Sequence, residues 1–200
     1  MTTSVAAVEP VRTALLVMDF QRFIVERLPE QESGALVRRV ADAIATVRAA
    51  GGTVGYVRVG FTPEEMAAVP ARNKVFTGYA AGGGLPADGP DSAVVGELAP
   101  REGDIVVRKT RVGAFSTTDL HERLSRRDVD TLVLAGVSTS GVVLSTVRDA
   151  SDRDYRLLVL SDGCADPSAR AHEVLMEDVF PRQADVVGVA ELPYLLGAAK

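Results

Sequence analysis

Short runs of consecutive apolar residues alternate along the chain with longer stretches in which apolar positions recur every three or four residues. The short runs are Thr13–Asp19 (TALLVMD), Thr53–Val59 (TVGYVRV), Asp104–Arg108 (DIVVR), Thr131–Gly136 (TLVLAG), Arg156–Leu160 (RLLVL) and Ala184–Val187 (ADVV). A strand covered on both faces has no polar side to show, so near-continuous Val, Ile and Leu predict a parallel sheet sandwiched by helices. Between the first two runs, Gly34–Ala50 carries Leu36, Val40, Ile44 and Val47 at helical spacing and stops at Gly51-Gly52. Thr118–Arg126, Thr139–Arg153 and Ala169–Phe180 read as further helices. Six strands alternating with helices predict an α/β, three-layer doubly wound fold: a six-stranded parallel sheet flanked by helices, one domain over residues 1–200.

Two segments stand outside this alternation. Residues 1–11 are expected to be a flexible N-terminus. Phe61–Pro90 contains four prolines and the run Gly82-Gly83-Gly84, without clear periodicity. A connection of that length inside a compact domain is usually functional, so 61–90 is expected to form a substrate-site loop or lid, the alternative being a mobile surface excursion.

Composition narrows the chemistry. At 200 residues, 46% hydrophobic and 24% charged, the chain can bury a sizeable core, which excludes a disordered tail or a disulfide-stapled miniature. The net charge is −5 and the basic residues are scattered, so no nucleic-acid partner is expected. Nothing approaches the roughly 18 consecutive apolar residues of a bilayer span. The start lacks the basic-then-apolar order of a signal peptide, so no membrane partner and a cytoplasmic location are expected. One cysteine, Cys164, forbids an internal disulfide and suits a reducing compartment. With only His121 and His172 besides, most nucleophile and metal chemistries are removed together.

In an open parallel sheet, ligands bind beyond the carboxyl ends of the strands. Asp19 ends the first predicted strand (LLVMDFQ), Lys109 follows the third (VVRKTRVGAF), and Ser138, Thr139 and Ser140 join the fourth to its helix (LAGVSTSGVV). A carboxylate, an ammonium and a helix start with unpaired N–H groups would then converge on one cleft.

These segments, together with GVSTSGVVLSTVRDASDRDYRLLVLSDGCAD, resemble the isochorismatase-like hydrolase superfamily from Thr13 to about Val187. The resemblance implies a six-stranded parallel sheet, a small-molecule substrate, no cofactor and a homo-oligomer. In its cysteine-hydrolase branch an Asp, a Lys and a nucleophilic Cys act together. Matched motif by motif, the Asp is Asp19 and the Lys is Lys109, whereas the cysteine's position holds Val142. Valine has no lone pair and forms no covalent intermediate. The resemblance also implies a cis Val137–Ser138 peptide, with the backbone at Ser138 and Val142 serving an oxyanion.

Members without the cysteine hydrolyse a vinyl ether by protonation from the corresponding Asp, helped by the Lys. That route fits Asp19 as general acid or base assisted by Lys109, and it asks that burial hold Asp19 protonated. The isochorismatase branch's Gly-x-Tyr-Ala-His-x-Gly stands here as GVSTSGV, so isochorismate itself is not the expected substrate. Three alternatives remain: an amide or ester hydrolase using a serine near Ser138 or Ser140, a small-molecule binding protein retired from catalysis, and a protein devoted to assembly with a partner.

Other residues carry weaker signals. Gln21 would orient Asp19 or cap its loop, and Thr139 and Ser140 would meet substrate. Arg58, Arg72, Lys74 and Arg111 are candidates for binding a substrate carboxylate, or are solvated loop charges. Phe61, Phe76, Tyr79 and Phe115 would wall an apolar pocket, or pack in the core. Cys164 reads as a core hydrophobe, and His121 and His172 as surface or packing residues. The Asp-x-His pair of metal-dependent relatives is missing from VRVGFTP, so no metal is expected. Arg148 and Asp149 would fix helix packing or an interface.

Overall fold

The computed structural model describes residues 5–81 and 85–197. Six strands form one sheet: β1 (Thr13–Met18), β2 (Thr53–Val59), β3 (Ile105–Lys109), β4 (Thr131–Val137), β5 (Arg156–Ala165) and β6 (Asp185–Val187). Every pairing is parallel, and the spatial order is β3-β2-β1-β4-β5-β6. The order reverses between β1 and β4, the crevice where doubly wound sheets bind ligands. The helices are α1 (Arg22–Val25), α2 (Glu30–Ala49), α3 (Pro63–Ala67), α4 (Lys74–Ala81), α5 (Leu120–Ser125), α6 (Leu144–Ser151), α7 (Ala169–Val174) and α8 (Leu192–Leu195). Among the described residues no helix is long and apolar enough to cross a membrane.

Period-two alternation in β1 supplies both faces of the core. Leu15 and Val17 join Leu36, Val40 and Val47 of α2, while Ala14, Leu16 and Met18 join Leu120 of α5 and Val147 of α6. This double burial is why β1 and β4 are apolar after their opening residues, Thr13 and Thr131. The helix predicted over Gly34–Ala50 begins a turn earlier, at Glu30, and ends with Gly51 at φ 84°, a conformation that favours glycine. The helix predicted over Thr139–Arg153 divides into a π-helical turn, Thr139–Val143, and α6.

Two segments hold more structure than their sequence pattern shows. Residues 61–90 are not without regular structure: α3 and α4 lie there, α3 opened by a capping box between Thr62 and Glu65. Arg108 of β3 ties α3 down through a two-pronged pair with Glu65, at 2.7 and 3.1 Å. The Gly82-Gly83-Gly84 run lies outside the described residues. The N-terminal segment from Val5 is tethered rather than loose. Val8 is buried and its N–H bonds the Leu195 carbonyl at 2.9 Å, while Arg156 donates to the carbonyls of Ala6 and Ala7.

Candidate active site

The cleft is assembled by strand ends. Asp19 follows β1 with φ 60°, a left-handed conformation that Asp tolerates better than most residues. Its N–H bonds the Val57 carbonyl of β2 at 2.8 Å, which fixes the turn against the sheet. Lys109 closes β3, and alternation sends it to the opposite side from Arg108. Lys109 is 1% exposed and Asp19 5%. The ammonium donates to Asp19 Oδ2 at 2.7 Å and to the Val112 carbonyl at 2.9 Å. Asp19 Oδ1 is buried with no hydrogen-bond partner among the described residues.

Burial raises the Asp19 pKa above the ordinary carboxylate value, and the attraction and hydrogen bond from Lys109 offset this only in part. A proton on Asp19 belongs on Oδ1, because Oδ2 already accepts from Lys109. The protonated acid would therefore offer its hydrogen from the one oxygen the protein leaves unengaged.

On the other side of the crevice, β4 runs into the π-helical turn through a cis Val137–Ser138 peptide. Gly136 is required at this approach, since a Cβ there would stand 2.8 Å from Val143 Cγ2. Ser138 and Val142 both border the cavity, and Val142 presents only hydrocarbon. Thr139 is fully buried, its hydroxyl 2.8 Å from His172 Nδ1, so it anchors the turn to α7. Ser140 Oγ donates to Asp166 Oδ2 at 2.6 Å, and its N–H donates to the same oxygen at 2.7 Å.

The cavity has a volume of about 370 Å³. Asp19, Lys109 and Ser138 lie at its floor, with Ser140 beside them. Val59, Phe76, Tyr79 and Leu85 wall one side, and Ile24, Arg27 and Leu28 border another. The structure thus brings Asp19, Lys109, Ser138, Ser140 and Val142 together with Phe76 and Tyr79, but leaves several sequence candidates elsewhere.

Gln21 is fully buried and spent on backbone. Its amide donates to the carbonyls of Val59 (2.8 Å) and Ser92 (3.0 Å), and its oxygen accepts from Val59 N–H (2.7 Å). It is a staple between β1, β2 and the segment near Ser92, with nothing left for substrate. Phe61 lies behind the wall, its ring 5.3 Å from that of Phe76. Phe115 belongs to the other face of the sheet, stacked on Tyr155 at 6.1 Å. Arg72 and Lys74 are exposed and outside the cavity lining, and Arg58 donates to the Ser92 carbonyl. Arg111 donates to the Thr110 carbonyl, with its guanidinium 5.8 Å from the Phe76 ring.

Arg27, Ile24, Leu28, Val75, Val112 and Pro167 line the cavity without having been singled out from sequence. The apolar residues of QRFIVERL were the available signal for the α1 side. Cys164 is buried against Leu134 in the β4–β5 ladder, and burial pushes its thiol up to about 12. His121 Nδ1 lies 2.9 Å from the Tyr155 hydroxyl, far from the cavity in the fold. Among the described residues no three His, Cys, Asp or Glu side chains are grouped to hold a metal ion.

Comparison with known proteins agrees with this architecture. Residues 13–191 match the isochorismatase domain. A probable isochorismatase of Pseudomonas chlororaphis is 33% identical over 187 residues, covering 93% of this chain and 87% of that protein. An isochorismatase family protein from Burkholderia thailandensis superposes with a TM-score of 0.83 at 30% identity, covering 97% of this chain and 100% of that one. A cysteine hydrolase from Pseudomonas syringae pv. phaseolicola superposes with a TM-score of 0.87 at 25% identity over the full length of both chains. A domain match spanning nearly the whole sheet, with relatives covering nine-tenths of the chain, makes this protein a member of the isochorismatase family of hydrolases.

Proposed function

We propose that this protein hydrolyses a small molecule by acid–base catalysis at Asp19, with Lys109 as its assistant and without a covalent enzyme intermediate. The observation that carries the reading is the unpartnered Oδ1 of a buried Asp19 whose pKa burial raises, in a cavity also lined by Val142, where the family resemblance would put a nucleophile. The similarity to a probable isochorismatase supports a vinyl ether as the substrate type.

For such a substrate, Asp19 transfers its proton to the terminal carbon of the double bond, and the carbon bearing the ether oxygen becomes an oxocarbenium ion. Water adds to that carbon and returns a proton to the Asp19 carboxylate. The resulting hemiketal breaks its C–O bond to give an alcohol and a ketone. Lys109 stabilises the carboxylate that forms when the proton leaves, through the hydrogen bond already made to Oδ2. In the water-mediated variant for an acyl substrate, the backbone at Ser138 and Val142 would receive the oxyanion.

One observation favours a second reading, an amide or ester hydrolase with a serine nucleophile: Ser140 Oγ already donates to the Asp166 carboxylate at the cavity edge. A panel of vinyl ethers, amides, carbamoyl compounds and esters, offered to wild type, Asp19→Asn and Ser140→Ala, separates the two. The acid mechanism expects vinyl-ether turnover that is lost in Asp19→Asn and kept in Ser140→Ala. Ester or amide turnover lost in Ser140→Ala would establish the serine reading instead, and saturable binding without turnover would mark a retired site.

A further inference from the structure

We infer that the cavity takes a monocarboxylate built on a single apolar ring, and that Arg27 at the rim is the specificity-determining residue that engages the carboxylate. This inference rests on the small-molecule hydrolase reading and adds to it the class of molecule.

Size and lining point to the ring. About 370 Å³ is at the small end of sites for small molecules. Beyond Asp19, Lys109, Arg27 and the two serines the lining is mostly aliphatic and aromatic, with Val59, Phe76, Leu85, Val112 and Val142 joined by the Tyr79 ring. A polar chain crossing that zone would lose its water without gaining partners, whereas an apolar ring loses nothing.

The rim supplies the charge. Arg27 borders both the main cavity and a smaller hollow formed with Phe23, Val75, Gly78 and Tyr79. Its guanidinium carbon lies 4.0 Å from the centre of the Phe23 ring and 5.8 Å from that of Tyr79. Stacking of this kind holds the planar fork in place while its N–H donors stay available. The adjacent acid does not occupy them, because Glu26 is taken by Arg22 at 2.8 Å. Among the described residues no carboxylate pairs with Arg27 and no hydrogen bond engages its side chain. A guanidinium so presented is complementary to a carboxylate, which accepts two parallel N–H bonds. The net charge of −5 repels anions generally, so attraction of one to this cavity must come from the cations that line it, and of Arg27 and Lys109 only Lys109 already donates to Asp19 and the Val112 carbonyl.

The test is equilibrium binding of benzoate, cyclohexanecarboxylate and benzamide to the full chain, by calorimetry, with wild type, Arg27→Gln, Arg27→Lys and Asp19→Asn. Wild type should bind the two acids at least tenfold more tightly than the amide. Arg27→Gln should weaken both acids by roughly ten- to a hundredfold, the size expected for charge-assisted hydrogen bonds, and leave benzamide within about twofold. Arg27→Lys should recover part of the loss. Arg27 is exposed, so unchanged melting curves for its variants are expected and would show that folding is not the cause. Equal binding of acid and amide, a preference that survives Arg27→Gln, or failure of all three rings to bind wild type would each overturn the inference. Binding needs no proton transfer, so Asp19→Asn should keep the preference for acids. In the substrate panel, vinyl-ether turnover retained by Asp19→Asn would overturn the acid mechanism and leave this inference standing, whereas an acid preference surviving Arg27→Gln would overturn this inference and leave the acid mechanism standing.

Discussion

The floor and the wall of the cavity are built in different ways. Asp19, Lys109 and Ser138 project from the ends of β1, β3 and β4, whose registers are set by ladders inside the sheet and by cores on both faces. Phe76, Tyr79 and Leu85 belong instead to a small separate cluster with Val59 and Phe61, carried by α4 and the segment after it. The floor cannot change position without disturbing the sheet. The wall can change its side chains and leave the sheet intact. On the proposed reading, chemistry is placed on the rigid part, and choice of substrate on the replaceable part.

The largest expected effect tests the floor. Asp19→Asn keeps the shape of a neutral acid and loses the transferable proton, so turnover should fall by about 10²- to 10⁴-fold. The melting temperature should move by only a few degrees. The wild-type pH profile carries the same information. The Asp19 pKa is raised in the folded protein, so the acid form and its activity are present at low pH and are lost as pH rises through the folded value. The stability linked to this group has the same sign. It is full below the ordinary carboxylate range and declines as pH rises through the raised value. A rate that climbs with pH across that limb would contradict the general-acid role.

The next effect lies where floor and wall are joined. Gln21→Ala would leave the carbonyl and N–H of Val59 without their buried partner and the Ser92 carbonyl with Arg58 alone. The loss should be about 3 kcal/mol, seen as a drop in melting temperature of roughly 6–12 °C for a chain of this size. If melting were unchanged and KM alone rose, Gln21 would be a substrate ligand and the description of it as a staple would be wrong.

A smaller effect is expected in the wall itself. Phe76→Leu keeps an apolar side chain of reduced volume against Phe61, Tyr79 and Leu85, at a cost of about 1 kcal/mol. KM should rise several-fold with kcat nearly constant, because the wall makes contacts common to substrate and transition state. A change in kcat alone would show that the wall helps to place Asp19.

The same contrast explains what could be seen in advance. The strands were legible because burial on both faces leaves β1 and β4 apolar beyond their first threonines, and Asp19 and Lys109 were legible as charges at the ends of apolar runs. Gln21 was not, because an amide two residues from a carboxylate looks the same whether it faces a ligand or backbone. Phe115 is close to Lys109 in sequence, but the chain turns it beneath the sheet toward Tyr155. Helices as short as α1 and α3 give too few turns for a period to emerge, which hid Arg27 as well. Arg72 and Arg27 are alike as sequence, both exposed arginines in polar surroundings. Only the fold distinguishes the one that borders the cavity.

The smallest expected effect is none at all, and it decides whether the single cysteine has a part in the chemistry. Cys164 lies on β5 opposite Gly136 of β4, 5% exposed, with its sulfur toward the Leu134 carbonyl at 3.7 Å. Burial pushes its thiol up to about 12, so at pH 8 only about one molecule in ten thousand carries the reactive thiolate. Iodoacetamide should leave the native protein unmodified and fully active, and should label Cys164 only after denaturant opens the sheet. Mass spectrometry alongside residual turnover checks both statements at once. If alkylation and loss of turnover advanced together under native conditions, Cys164 would have to reach the cavity, and the proposal of catalysis by Asp19 without a thiol nucleophile would fall.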